Sequence, residues 1–167
     1  MSWSPFRAAL AGACGAVANA LAIRLTTALD LDAGTSGFAK WLFSHMNDWF
    51  GLTLPLRLGP VSQELFHTGI GIVSALIFAA IFYRLLPGPR WLRGLVYCQG
   101  MWVVQALVVL PCLGHGYFGS RISLSTPIWS WLLNAIYGIV LGALYRPSAV
   151  IVIHRDVGDV VPRTRSR

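Results

Sequence analysis

The chain has 167 residues, 56% of them hydrophobic and 11% charged, and its mean hydropathy is +0.64. A soluble domain carries about 25% charged residues, and one this short has too little interior for so much apolar surface, so an ordinary water-soluble globule is excluded. The net charge of +7 invites a nucleic-acid reading, but the basic residues stand between apolar blocks or in the tail Arg155, Arg163, Arg165 and Arg167, where they would meet anionic lipid.

A spanning helix needs roughly 20 mainly apolar residues, and the first such block runs from Phe6 to Leu29. Ala8, Gly12, Ala16 and Ala20 recur along it at four-residue steps, a stripe that lets helices approach closely. The string LAGAC ending at Cys14 loosely matches a lipoprotein processing site. Its preceding apolar stretch is too short for a signal-peptide core, so the block is expected to be a retained helix. Asp30 to Gly37 then breaks the pattern. Over 37–51, Phe38, Trp41, Leu42, His45, Met46, Trp49 and Phe50 share one helical face. A Trp- and Phe-rich helix of this kind lies at the membrane surface, as a cap on the bundle or as a lid.

The second span covers 67–86 and opens with HTGIGIVSAL at His67; its small residues are Gly71, Ala75 and Ala79. The turn PGPR leads to the third span, 92–113, whose expected inward face is Gly94, Cys98, Met101, Gln105, Val108 and Cys112. GHGYFGS separates it from the fourth span, 127–145, with Pro127 in its first turn, as suits proline. Here the stripe is Asn134, Gly138 and Gly142, with Ser130 one turn before it; that face would equally suit dimerisation. HTGIGIVSAL and NAIYGIVLGAL each place a polar residue four positions before Gly-Ile-Val, a hint of a duplicated two-helix hairpin in parallel orientation. The fold class expected is all-α: a polytopic membrane protein with a four-transmembrane-helix bundle over 1–147, an amphipathic interfacial helix in the first outer loop, and a flexible basic cytoplasmic tail over 148–167.

With the N-terminus inside, the inner segments hold Arg7, Arg84, Arg90, Arg93 and the five arginines from Arg146 onward. The outer side keeps Lys40, Arg57 and Arg121, with Arg24 near it, and the acids Asp30, Asp32, Asp48 and Glu64. The excess of inner basic residues predicts both termini in the cytoplasm of a bacterial inner membrane.

Chemistry is sparse. Cys14, Cys98 and Cys112 lie in apolar segments without CxxC spacing and are expected to be buried free thiols. Arg24 within a span is a functional candidate because a charge there is costly, or it snorkels to the headgroups. Asn19, Gln105 and Asn134 are polar residues deeper in the spans, suited to bonds between helices. His67, His115 and His45 all fall on the outer side. Imidazoles there would suit a transition metal or a haem, although no pair has the spacing of HExxH or HxH. No Gly-x-Ser-x-Gly, phosphate-cradling loop or pair of intramembrane carboxylates is present, and the expected spans contain no Asp or Glu.

HTGIGIV in the second span, LPCLGHGYFG from Leu110 to Gly119 and NAIYGIVLGALY from Asn134 to Tyr145 together resemble small four-span bacterial inner-membrane proteins, the YagU-like group and related families. The resemblance covers most of the chain and implies membrane residence and little chemistry, since those families carry no assigned activity. In their pattern a histidine often opens the last motif; Asn134 stands there, which weakens a histidine-pair site between the second and fourth spans. The function expected is that of a non-enzymatic accessory subunit or small carrier without a cofactor. Its expected partners are the lipid bilayer, a second copy or another membrane protein, and no nucleic acid. The alternative is a membrane-bound metal, haem or quinone protein using the outer histidines.

Overall fold

All four spans begin on or beside a proline, whose missing N–H is no loss where a helix has no acceptor to offer. Pro5 opens α1 (Pro5–Ala28), Pro60 opens α3 (Pro60–Leu85) and Pro127 is second in α5 (Thr126–Leu144). Pro89 immediately precedes α4 (Arg90–Cys112). The loop helix is α2 (Phe38–Phe50). These elements come from a computed structural model, which describes residues 3–31, 38–55 and 57–148. Asp32 and the tail with Arg155, Arg163, Arg165 and Arg167 lie outside the described residues.

All four spanning helices are long and apolar enough to cross a bilayer, and no strand element occurs among the described residues. Each presents large apolar side chains outward: Phe6 and Leu25 on α1, Val61 and Leu65 on α3, Val108 on α4, Ile128 on α5. Water would make such a surface aggregate, whereas lipid covers it at no cost. The chain is an all-α, multi-pass membrane protein.

The bundle core is built from small residues and tyrosines. α1 packs on both α3 and α5, and α5 packs on α4, giving the row α3–α1–α5–α4. At the first contact, a Cβ added to Gly12 would fall 2.5 Å from the Ala75 Cβ. At the last, a Cβ on Gly94 would fall 2.1 Å from the Gly138 carbonyl oxygen. Gly138 and Gly142 are therefore covered by α4 within the same chain and are not a free dimer face.

Several expectations need correction. α3 starts at Pro60, seven residues before the expected 67, because the polar stretch Ser62–Glu64 forms its first turn at the membrane edge. Glu64 thus lies within the span. Of the thiols, Cys98 is buried as expected, but Cys14 and Cys112 are exposed on the surface that faces lipid. On α4 the inward face follows Gly94 and Cys98 to Ala106 and Leu110, while Val108 and Cys112 turn outward. The cause is a π turn over Gln105–Val109. Its wider turn takes up an extra residue and brings residues four apart back to one side. A second π turn, Phe78–Phe82, interrupts α3.

Arg24 pairs with Glu64 at 2.8 Å, joining the ends of α1 and α3 at one end of the bundle. His67 lies near this end too, and it is called the histidine end below. Arg7, Arg84, Arg90, Arg93 and Arg146 mark the opposite, arginine end.

α2 forms over Phe38–Phe50, as its periodicity predicts. Phe38, Trp41, His45 and Trp49 make a continuous row of ring contacts, stacked, tilted and edge-on in turn, with ring centroids 6.1, 4.5 and 5.3 Å apart. Phe43 and Phe38 rest on Phe66 of α3, at 5.5 and 6.1 Å. Asn47 pins the returning chain by exchanging two hydrogen bonds with Leu54, 2.9 and 2.7 Å long.

Candidate functional site

The row of helices leaves α3 and α4 without a shared interface along their lengths. They meet toward the arginine end, where Phe78 and Phe82 pack on Tyr97 at 5.3 and 5.1 Å. Just above, the Tyr97 hydroxyl donates to the Ser74 carbonyl at 3.1 Å and lies 3.2 Å from Ser74 Oγ. Beyond this tie a cleft of about 270 Å³ opens between the two helices.

Its walls come from every spanning helix. α3 supplies His67, Ile70, Gly71 and Ser74, and α4 supplies Met101, Val104, Gln105 and Leu110. α1 and α5 form the back, with Ala16, Asn19 and Ile23 from one and Ser130, Asn134 and Tyr137 from the other. Phe38 of α2 reaches the lining as well. From His67 to Ser74 is two helical turns, so that wall is about 10 Å deep.

Among the described residues no Asp, Glu, Lys or Arg lines the cleft. Its polarity comes from neutral groups set among apolar ones. Asn134 Nδ2 donates to Gln105 Oε1 at 3.2 Å and to the Ser130 carbonyl at 2.9 Å, tying α5 to α4. Among the described residues that leaves Gln105 Nε2 as a donor and Asn134 Oδ1 as an acceptor without a protein partner. Ser130, only 2% exposed, accepts from Trp102 Nε1 at 3.0 Å and donates to the Pro127 carbonyl at 3.2 Å. The Tyr137 hydroxyl donates to the Gly71 carbonyl, fastening α5 to α3 behind the cleft. Asn19 Oδ1 is buried with no hydrogen-bond partner among the described residues, a costly condition for a side chain at a cavity wall. His67 lines the cleft with no hydrogen bond from the described residues, and the carboxylate of Glu64 acts on it electrostatically. Gln105 also opens the π turn of α4, a kind of irregularity frequent at functional sites.

The residues singled out in the sequence thus divide. Asn19, His67, Gln105 and Asn134 converge on one cleft. Arg24 is exposed and held by Glu64, outside the lining. His45 Nδ1 lies 2.9 Å from the Trp41 carbonyl within α2, and His115 sits in the loop after α4, where its backbone bonds Leu110 and Arg121. Neither His45 nor His115 lines the cleft. Among the described residues no three His, Cys, Asp or Glu side chains are grouped as a metal would need.

Ser74, Tyr97 and Tyr137 were not singled out from the sequence. Tyrosine and serine are ordinary in apolar helices, and their role here depends on which helices are neighbours. Comparison with known proteins adds no relative: no protein-family model, curated protein or solved structure matches the chain.

Proposed function

We propose that this chain is a multi-pass protein of a bacterial inner membrane, with both termini cytoplasmic, that holds a neutral, lipid-soluble molecule in the cleft between α3 and α4. It works as a small carrier or as an accessory subunit of a membrane complex, alone or beside a second copy, and not as an enzyme. The observation that carries this reading is the lining itself: among the described residues it sets unpaired neutral donors and acceptors among apolar side chains, with no formal charge. A ligand with a charged headgroup would lose its hydration there without a counter-charge, at a cost of several kcal/mol. A ligand with hydroxyl or carbonyl groups and an apolar body would satisfy Gln105, Asn134 and Asn19. The open side between α3 and α4 lets it enter from the bilayer.

The excess of arginine at one end supports the orientation. The resemblance to the YagU-like group fits the same reading, since two of its three motifs open with His67 and Asn134, and both of those residues line the cleft.

A second reading is favoured by His67 specifically. An imidazole and the Gln105 amide on opposite walls suit the two carbonyl oxygens of a quinone head, each accepting one hydrogen bond.

Both readings are tested on protein purified in mild detergent, by mass spectrometry of its organic extract together with a visible spectrum and metal analysis. The expected result is a retained neutral amphiphile, lost when Gln105 and Asn134 are both changed to Leu. Replacing both partners avoids leaving a buried amide orphaned. A quinone in the extract selects the second reading. A haem band or stoichiometric metal lost in His67→Ala contradicts both and restores the metal or haem alternative.

A further inference from the structure

The cleft holds an amide pair whose orientation is fixed by the backbone. Asn134 Nδ2 gives one hydrogen to the Ser130 carbonyl at 2.9 Å and the other to Gln105 Oε1 at 3.2 Å. Turning the Asn134 amide over would set Oδ1 against that carbonyl, two acceptors in contact. Turning Gln105 over would set its NH2 against the NH2 of Asn134, two donors in contact. Each amide therefore keeps one free group for the cleft that both residues line. Gln105 Nε2 only donates and Asn134 Oδ1 only accepts, and among the described residues neither atom has a protein partner.

The depth of the pair limits what can meet it. Gln105 lies about two turns inside the end of α4 at Cys112, and Asn134 about two turns inside the start of α5 at Thr126. Both stand roughly 11 Å below the histidine end of the bundle, within the hydrocarbon layer. An unpaired polar atom is costly there, and a charged headgroup costs more. The group that meets the pair is therefore neutral, and it must accept from Gln105 while donating to Asn134. A hydroxyl does both. A quinone carbonyl, an ester or an ether only accepts, and leaves Asn134 Oδ1 unmet. On the facing wall, neutral His67 has one N–H and one bare nitrogen, so it takes either a hydroxyl or a carbonyl. Between the two polar sets the lining is apolar, with Ile70, Met101 and Val104.

We infer that the molecule in the cleft is a lipid with a dihydroxyarene head, the reduced quinol rather than the quinone. One hydroxyl bridges Gln105 Nε2 and Asn134 Oδ1, and the other meets His67. A cleft of about 270 Å³ is small for a whole ligand; it takes the ring, and the tail leaves between α3 and α4 into the bilayer. The inference rests on the reading that the cleft holds a neutral lipid-soluble molecule, and it states which member of a quinone–quinol couple fits.

The test is equilibrium binding to the full chain in mild detergent, without oxygen, read by native mass spectrometry. Three probes share one decyl tail: a benzoquinol, its benzoquinone and the dimethyl ether of the quinol. Wild type should bind one benzoquinol, roughly tenfold more tightly than either of the others, the effect of one hydrogen bond withheld from a desolvated acceptor. The double variant Gln105→Leu with Asn134→Leu should bind all three equally weakly. His67→Leu should weaken quinol and quinone together and keep their ratio. Benzoquinone bound by wild type as tightly as the quinol overturns the inference without relying on any variant, and so does a dimethyl ether that matches the quinol. A ratio that survives in the double variant, or collapses in His67→Leu, overturns the assignment to the amide pair. If no probe binds while the organic extract of the purified protein holds a different neutral amphiphile, the quinol head is overturned and the reading of the cleft stands. If no probe binds and the extract is empty, both fall.

Discussion

Glycine is what allows α4 and α5 to touch. The Cβ of an alanine at position 94 would fall 2.1 Å from the Gly138 carbonyl oxygen and 2.6 Å from the Gly142 nitrogen. Those are backbone atoms of a helix that cannot yield locally, so Gly94→Ala must push the two helices apart. The expected loss is about 1–3 kcal/mol, the usual cost of overfilling a packed contact, read as a lower unfolding midpoint in a denaturing-detergent titration. Gly69→Ala is the control, because nothing lies within 4 Å of its added Cβ; its midpoint should stay level or rise slightly. Equal effects at both positions would show that helix propensity, not contact, governs these glycines. The stripes Gly12–Ala16, Gly71–Ala75 and Gly138–Gly142 were legible in the sequence because small residues at four-residue spacing have one common use in lipid. Gly94 was legible only as a plausible inward residue, since α4 lacks a repeating partner for it. Which stripe met which was not legible, because every such stripe is complementary to every other.

Along α4 the decisive feature is the π turn at Gln105–Val109. Leu110 N bonds to Gln105 O across it, five residues back, and Pro111 follows with no N–H to contribute. A π turn is geometrically an α-helix with one residue inserted. Deleting Leu107 should therefore restore a plain α-helix with Gly94 and Cys98 on one side of the deletion and Leu110 on the other still facing inward. Deleting Val96, in the regular part, should instead rotate everything beyond it by about 100°. The first variant is expected to elute from size-exclusion chromatography as wild type does, the second to aggregate. Aggregation of both would mean that the π turn is needed for the bundle to pack. This element explains why the inward face read from regular periodicity failed at Val108 and Cys112 yet held at Gly94 and Cys98, while Met101 and Gln105 face the open cleft: the pattern is α-helical up to the turn and loses register after it. The start of α3 was missed for a different reason. An apolar count does not see an amphipathic first turn, and Pro60 was the available signal.

For the molecule as a whole, the two candidate hairpins pack alike, α1 on α3 and α4 on α5. A two-fold relation between them would make the α1–α5 contact and the α3–α4 contact equivalent. The first is closed, through Gly15 against Tyr137 among others, and the second is open as the cleft. The opening therefore lies where the duplicated pattern would place a contact, which is why neither hairpin's sequence announces it. The polar residues His67, Gln105, Asn134 and Asn19 were legible one by one as unusual in apolar helices. Their convergence was not, because it rests on the row α3–α1–α5–α4 and on Tyr97 meeting Ser74 at the floor. The central claim is that the cleft admits a specific neutral molecule from the bilayer, and photo-cross-linking in native membranes tests it most directly. A benzophenone side chain replaces Met101, which lines the cleft, or Val96, which is exposed on the same helix and outside the lining. The account predicts a distinct, neutral, extractable adduct from position 101 and bulk phospholipid adducts alone from position 96. The same phospholipid adducts at both positions would contradict it, and the cleft would then be a lipid-filled groove in a packing bundle.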